Sequence, residues 1–152
     1  MVVLSTAFEE FMADAEPRLR RALVARHGMH LGRDATLDAM IYGWKHWDRV
    51  SEMDNPVGYL YRVGASSIRP PKEPPQLAAV QEYREPWIEP ALETSLGALS
   101  EQQRVAVVLR HSFEWTYAEI AELLDISVST VRTQLSRGME KLRRALEVTV
   151  NG

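Results

Sequence analysis

Proline is concentrated in one stretch of this chain, and that stretch limits the possible architectures more than any other feature. Six of the eight prolines lie between residues 70 and 90. Proline fixes φ and lacks a backbone N–H, so neither an α-helix nor a central strand tolerates this density. Residues 69–90 are therefore predicted to form a semi-extended linker between two separate bodies, residues 1–68 and residues 91–152. Few contacts are expected to cross such a linker.

The body before the linker shows helical periodicity and no alternating strand pattern. Thr6-x-x-Glu9 has the form of a capping box, and apolar residues come after it at spacings of three and four, which predicts a first helix starting there. Pro17 falls inside the apolar stripe and predicts a kink or a late start. Gly28 and Gly32 are expected to end this helix.

Two further helices are predicted before the linker. One runs from about Asp34 to Asp48 with its large apolar side chains facing inward. These side chains are Leu37, Met40, Ile41, Trp44 and Trp47. Asn55-Pro56 places a capping residue before a proline at the first helical position, which opens the next helix. The two tryptophans are expected to anchor the core.

The body after the linker carries stronger local signals. Ser100-x-x-Gln103 and Thr116-x-x-Glu119 are capping boxes, and each precedes an apolar helical pattern. Asp125-Ile126-Ser127 predicts a tight turn, because Asp tolerates left-handed geometry and Ser can cap the next helix. The last helix is expected to bury one face, made of Val131, Leu135, Gly138 and Leu142. The sequence thus predicts an all-α chain of two small helical domains, the second a helix-turn-helix.

The opposite face of the last helix has the composition of a DNA-reading surface. It carries Ser129, Arg132, Thr133, Ser136, Arg137 and Glu140. Small polar residues let a helix enter the major groove, and arginine reaches guanine acceptors or phosphate. The net charge of −3 is unfavourable for nucleic acid as a whole, but the basic residues are concentrated here, with Lys141, Arg143 and Arg144 continuing the face.

Other chemistries are not supported by the sequence. Cysteine is absent, which excludes thiolate metal sites and disulfides and fits a reducing cytoplasm. His27 and His30 lie three apart, but glycines break the helix that would hold them as a metal pair. No nucleophile–base arrangement, phosphate loop, signal peptide or membrane span is recognised, so no enzyme, cofactor or membrane role is predicted.

The C-terminal motifs resemble those of bacterial extracytoplasmic-function (ECF) sigma factors. The similarity runs through the segments 116–132, TYAEIAELLDISVSTVR, and 136–143, SRGMEKLR. In that family this region, sigma region 4, reads the promoter −35 element. The resemblance implies that Arg132, Thr133, Ser136 and Arg137 lie at bases or nearby phosphates, and Arg110 at the DNA backbone. The predicted DNA-binding set is completed by Ser129, Thr130, Lys141 and Arg143.

The N-terminal body is similar to the family's second region, which binds core RNA polymerase and opens the −10 element. The matching segments are 44–50, WKHWDRV, and 55–63, NPVGYLYRV. The resemblance implies polymerase contacts at Asp38, Trp44 and Trp47. Two departures stand out. The family's glutamine is missing beside Asp38, and about two turns of the −10 helix, with their basic residues, are replaced after Arg69 by prolines.

Three functions are compatible with this interpretation. The first is an ECF-type sigma factor that binds core RNA polymerase and promoter DNA. The second is a sigma-like DNA-binding regulator that has lost −10 opening. The third is an interaction protein whose helical domains are bound by an anti-sigma factor. A sensor domain joined to a response-regulator-type helix-turn-helix is a further alternative, and it requires a ligand pocket within residues 1–68.

Overall fold

The structure, a computed structural model, describes residues 2–68 and 90–151. All regular secondary structure in these ranges is helical, which confirms the all-α prediction. The helices are α1 (Val2–His27), α2 (Met29–Lys45), α3 (Trp47–Val50), α4 (Pro56–Ser67), α5 (Pro90–Gly97), α6 (Glu101–Ser112), α7 (Tyr117–Leu124) and α8 (Val128–Asn151). Helices α1–α4 form the N-terminal body and α5–α8 the C-terminal body. Residues 69–89, most of the predicted linker, lie outside the described residues.

Helix α1 begins earlier than the sequence predicts and continues through Pro17. The helical start expected at Thr6 is therefore wrong. Proline removes one backbone hydrogen bond and crowds the preceding turn, at a cost of about 3 kcal/mol. The apolar stripe on both sides of Pro17 is buried and offsets this cost; its members are Phe8, Met12, Ala15, Leu19, Ala22 and Leu23. Tertiary burial decides the length of this helix.

The crossing of α1 and α2 depends on two glycines. Gly28 ends α1 with φ of 86°, a left-handed conformation that favours glycine. Gly32, expected from the sequence to end the same segment, lies inside α2 and is buried. A Cβ atom at Gly32 would lie 2.5 Å from the Val24 Cα atom of α1. Its missing side chain lets the two helices approach closely.

The buried face of α2 differs from the predicted one. The helix packs through small residues, which are Gly32, Ala35, Thr36, Ala39 and Gly43. The larger apolar residues expected to face inward lie partly outside: Leu37 is 56% exposed, Ile41 44% and Trp44 53%. The prediction is wrong for these three residues because a close helix crossing selects the face with the smallest side chains. We call Leu37, Ile41 and Trp44 the exposed stripe.

Helices α4, α6, α7 and α8 agree with the local sequence signals, whereas the sequence does not predict α3 and α5 as separate helices. Asn55 caps α4, its Oδ1 accepting from the Gly58 N–H at 3.0 Å, and Pro56 is the first helical residue as predicted. Both capping boxes of the C-terminal body are formed. Asp125 adopts the left-handed conformation between α7 and α8, and the Ser127 hydroxyl accepts the Thr130 N–H at 3.0 Å. The helix-turn-helix is therefore confirmed.

The two bodies contact each other directly, whereas the sequence predicts few contacts between them. The Arg104 side chain of α6 is 2% exposed and reaches the end of α1. Its guanidinium donates to the Ala25 carbonyl at 2.7 Å and to the Arg26 carbonyl at 2.6 Å. Arg26 in turn forms a 3.0 Å ion pair with Glu101. Arg104 thus caps the C-terminus of α1 from the other body.

A second junction joins α4 to the turn of the helix-turn-helix. The Asn55 amide donates to the Glu122 carbonyl at 2.6 Å. Arg62 lies 3.5 Å from the carboxylate of Asp125. This junction includes a side-chain hydrogen bond to a carbonyl and an exposed ion pair, and such polar contacts are common between domains of one chain.

Candidate nucleic-acid interface

Helix α8 exposes the face that the sequence predicts to read DNA. Its apolar side is buried against α6 and α7, with Val131, Leu135 and Leu142 at most 7% exposed. The opposite side is solvent-exposed and carries Ser129, Arg132, Thr133, Ser136 and Arg137. We call these five residues the reading face. Thr130 lies at its edge and is half-buried. The N-terminal body does not cover the reading face.

The Arg137 side chain is exposed and has no hydrogen bond or ion pair with any other described residue. The alternative expected from spacing is an ion pair with Glu140, one turn further along. Glu140 instead pairs with Arg143 and, at 3.2 Å, with Arg144. The Arg137 guanidinium is therefore free to bind an external acceptor.

The start of α8 combines N–H donors with hydroxyl groups. Ser127 caps the helix and its hydroxyl also bonds the Thr130 hydroxyl at 2.8 Å. The Thr133 hydroxyl donates back to the Ser129 carbonyl at 3.2 Å. Short side chains held against their own helix leave room for a close approach to a groove. The helix N-terminus adds a partial positive charge that favours phosphate.

Arg110 and Arg132 converge on one aromatic ring. Arg110, half-buried near the end of α6, donates to the Trp115 carbonyl at 3.0 Å. Its guanidinium carbon lies 4.8 Å from the centroid of the Tyr117 ring, and that of Arg132 lies 5.7 Å from the same centroid. Sequence reasoning did not select Tyr117 as a site residue. The signal available in the sequence is the position of Tyr117 directly after the capping residue Thr116, on the helix that precedes α8.

Two acidic residues on α7 and α8, Glu119 and Glu140, are held by partners within the C-terminal body. The Glu119 carboxylate accepts the Thr116 N–H at 3.0 Å, and the Thr116 hydroxyl accepts the Glu119 N–H at 3.1 Å. Hydrogen bonds from Thr116 to the charged carboxylate lower the pKa of Glu119. The carboxylate therefore stays ionised while it fixes the start of α7. Glu140 is the acidic residue on α8 closest to the reading face along the chain, and it pairs with arginines.

The predicted polymerase-binding residues lie on α2 and α3 of the N-terminal body. Asp38 and Trp44 are exposed on α2, and Trp44 lies within the exposed stripe. Trp47, on α3, is half-buried and meets the Phe8 and Phe11 rings with centroids 5.5 and 5.1 Å apart. A cleft of about 290 Å³ adjoins the stripe and is lined by Glu16, Arg20, Arg33, Thr36, Leu37 and Met40. An apolar stripe beside charged residues is typical of a protein-binding surface.

His27 and His30, the two histidines considered as a metal pair, lie in different environments. His27 is 5% exposed, and burial together with the neighbouring Arg26 lowers its pKa. His30 is exposed on the next helix. Within residues 2–68 and 90–151, no group of three His, Asp or Glu side chains is arranged to hold a metal ion. None of the helices in the described ranges has the length and apolar character that crossing a membrane requires.

Comparison with known proteins bears on the same regions. Residues 90–142 match the family model described as sigma-70, region 4. Over 48 residues the chain is 42% identical to the ECF RNA polymerase sigma factor SigW of Bacillus subtilis (strain 168), which is 32% of this chain and 26% of that protein. The chain thus matches about a quarter of the length of this curated relative.

The fold is also shared with a solved structure. The sigma factor RpoE, crystallised in complex with the anti-sigma factor NepR from Bartonella quintana, superposes with a TM-score of 0.62. The alignment covers 93% of this chain and 98% of that chain at 17% identity. At this identity the likeness concerns the fold, and the segment of region 4 carries the sequence relationship. Together these findings confirm the resemblance to ECF sigma factors that the motifs indicated.

Proposed function

We propose that this chain, an ECF-type sigma factor by its region 4 segment and its fold, directs RNA polymerase to promoters by recognising the −35 element. The observation that carries the proposal is the exposed reading face, with Arg137 unpaired among the described residues, on the second helix of a helix-turn-helix. Its partners would be promoter DNA and core RNA polymerase, and it would act in the cytoplasm without catalysis or cofactor of its own.

Base recognition would centre on Arg137. Arginine donates two parallel hydrogen bonds to guanine O6 and N7, and such a pair contributes about 1–3 kcal/mol of discrimination. Thr133 and Ser136 lie beside it on the exposed face and are short enough to let the helix enter the major groove. Lys141 and Arg143 would run along the phosphate backbone further on. Arg143 would exchange its exposed pair with Glu140 for phosphate at little cost.

Polymerase binding would use the exposed stripe together with Asp38 and Trp47. Interfaces between proteins place tryptophan and other large apolar side chains at their centre and charged groups at the rim. The exposed stripe and its charged surroundings have this composition. The surface is left uncovered by the contact between the two bodies, so it is accessible to a partner.

One observation favours the second function, a regulator that binds the −35 element without opening the −10 element. Helix α4 ends at Ser67, and Ile68 already has extended backbone, with φ of −106° and ψ of 128°. The −10 helix of the family, by the resemblance, continues about two turns further. An anti-sigma factor is a further partner to consider, because the structural relative was solved bound to one.

The test uses the full chain, purified core RNA polymerase and DNA. Duplexes that bind the chain are first selected from a random pool. Templates that carry the selected sequence, called the enriched sequence, are then used in run-off transcription. Transcripts that depend on both the chain and the sequence support the sigma-factor function. Sequence-specific binding without transcripts supports the regulator. If the chain shows neither sequence-specific binding nor transcripts, the protein-interaction function is supported.

A further inference from the structure

We propose that the aromatic ring of Tyr117 is a positioning element for DNA binding, holding the Arg132 guanidinium in the orientation in which it meets DNA. This inference rests on the proposed function and adds to it a residue that acts through another side chain. Three helices of the domain contribute one group each. Arg110 comes from α6, Tyr117 opens α7, and Arg132 lies in the second turn of α8.

The geometry around the ring is that of two cation–π contacts. The guanidinium carbons of Arg110 and Arg132 lie 4.8 and 5.7 Å from the ring centroid, within the range where the ring quadrupole attracts a cation. Neither arginine forms an ion pair with a carboxylate among the described residues. The ring is therefore the main group that orients Arg132 before DNA arrives.

The two arginines are held differently. Arg110 is half-buried and tied to the Trp115 carbonyl, so its charge is fixed beside the ring. Arg132 is exposed, and its ring contact is the one interaction that restrains it among the described residues. A long side chain that is already restrained loses less rotamer freedom when a ligand immobilises it. Removing the ring should therefore weaken DNA binding even if Tyr117 never touches DNA.

The ring has a fixed position of its own. Tyr117 directly follows the capping residue Thr116, and the reciprocal bonds between Thr116 and Glu119 set where α7 begins. Tyr117 is half-buried, so its ring lies against the domain. The Tyr117 ring therefore has a fixed position, and it can orient the exposed guanidinium of Arg132 that lies over it.

The test is a double-mutant cycle in the full chain, with the enriched duplex of about 30 base pairs as the probe. Tyr117→Leu should weaken binding roughly two- to tenfold, the range expected when one long side chain must be immobilised on binding. Tyr117→Phe keeps the ring and should bind like the wild type. In the Arg132→Ala background, Tyr117→Leu should cause no further loss, because the residue it acts through is gone.

Controls separate positioning from structure. Tyr42→Leu removes another ring–arginine contact, 5.9 Å from Arg49 in the N-terminal body, and should leave DNA binding unchanged. Thermal melting of every variant is compared with the wild type. If Tyr117→Leu melts early, Tyr117→Met takes its place in the same cycle. The salt dependence of binding is measured alongside, since a lost arginine contact to phosphate lowers its slope.

Three results would overturn the inference while the proposed function stands. They are wild-type affinity in Tyr117→Leu, a Tyr117→Phe variant as weak as Tyr117→Leu, and an equal effect of Tyr117→Leu with and without Arg132. The second result would mean that the hydroxyl contacts DNA directly. Failure of the wild-type chain to enrich any duplex would overturn the proposed DNA-binding function and this inference with it.

Discussion

Arg104 is the side chain that joins the two bodies through buried hydrogen bonds, and Arg104→Met tests how much this junction contributes to stability. Methionine keeps the length and apolar volume of the arginine stem and removes the guanidinium. In the wild type the guanidinium donates to three carbonyls: Ala25 at 2.7 Å, Arg26 at 2.6 Å and Leu99 at 3.1 Å. The first two belong to the last turn of α1, where helix carbonyls lack partners within the helix.

The expected loss of stability depends on the carbonyl oxygens that Arg104→Met leaves without a hydrogen-bond donor. The bonds to Ala25 and Leu99 are buried, and a buried carbonyl without a partner costs about 1–3 kcal/mol. These two carbonyls alone therefore give about 2–6 kcal/mol. Part of this loss is offset, because burial disfavours the charged guanidinium and lowers the pKa of Arg104. We expect a net decrease of about 2–4 kcal/mol in the free energy of unfolding.

Urea unfolding followed by circular dichroism measures this decrease. In a separate thermal unfolding experiment, the melting midpoint should fall by on the order of 10 °C for a chain of this size. Arg143→Met is the matched control. It makes the same chemical change at a side chain that is 65% exposed, and should alter stability by no more than about 0.5 kcal/mol. A loss below about 1 kcal/mol in Arg104→Met would refute the reasoning, since the carbonyls would then find other donors or water.

Four further predictions test other parts of the molecule. Gly32→Ala should destabilise the chain by about 1–3 kcal/mol in urea unfolding, because the added Cβ atom would meet the backbone of α1. The pKa of His27 is lowered in the folded chain, so stability should fall as the pH drops below about 6.5, and His27→Leu should flatten that pH dependence. Arg137→Ala should weaken binding of the enriched duplex more than of scrambled DNA in titrations, whereas Arg143→Ala should weaken both equally and lower the salt slope by about one unit. Trp44→Ala should weaken co-purification with core polymerase about tenfold or more and change the melting midpoint by only a few degrees.

The features predictable from sequence are those whose partners lie within four residues. The two capping boxes, the Asn55 cap and the left-handed Asp125 all form between near neighbours along the chain, and each is recognisable from its residue types. The buried side of α8 is predictable too, because one apolar stripe of regular spacing leaves a single choice of face. The same spacing predicts which face of α8 is exposed, and this is the face that carries the reading face residues.

The features that sequence did not reveal depend on distant partners. Leu37, Ile41 and Trp44 form a regular apolar stripe, yet α2 packs through its small residues because α1 crosses closely at Gly32. Arg104 meets carbonyls that are 78 and 79 residues away along the chain. Local periodicity cannot distinguish an apolar face that packs in the core from one left for a partner.

The contact between the two bodies limits how the proposed sigma-factor function could operate. The proposed function places two separate stretches of one duplex, the −35 and −10 elements, on different bodies of the chain. Helix α4 belongs to the body expected at the −10 element, and its capping residue Asn55 donates a 2.6 Å hydrogen bond to the Glu122 carbonyl in α7 of the C-terminal body. Under the proposed function, we expect this junction to open when both elements are bound. The junction at Asn55 and Arg62 is polar and can exchange its bonds for water, whereas the buried Arg104 guanidinium must first leave the end of α1. Opening would also release the contacts of Arg18 with the Trp115 ring and of Arg21 with the Phe113 ring, so the free energy of opening would be set by Arg104 together with these contacts.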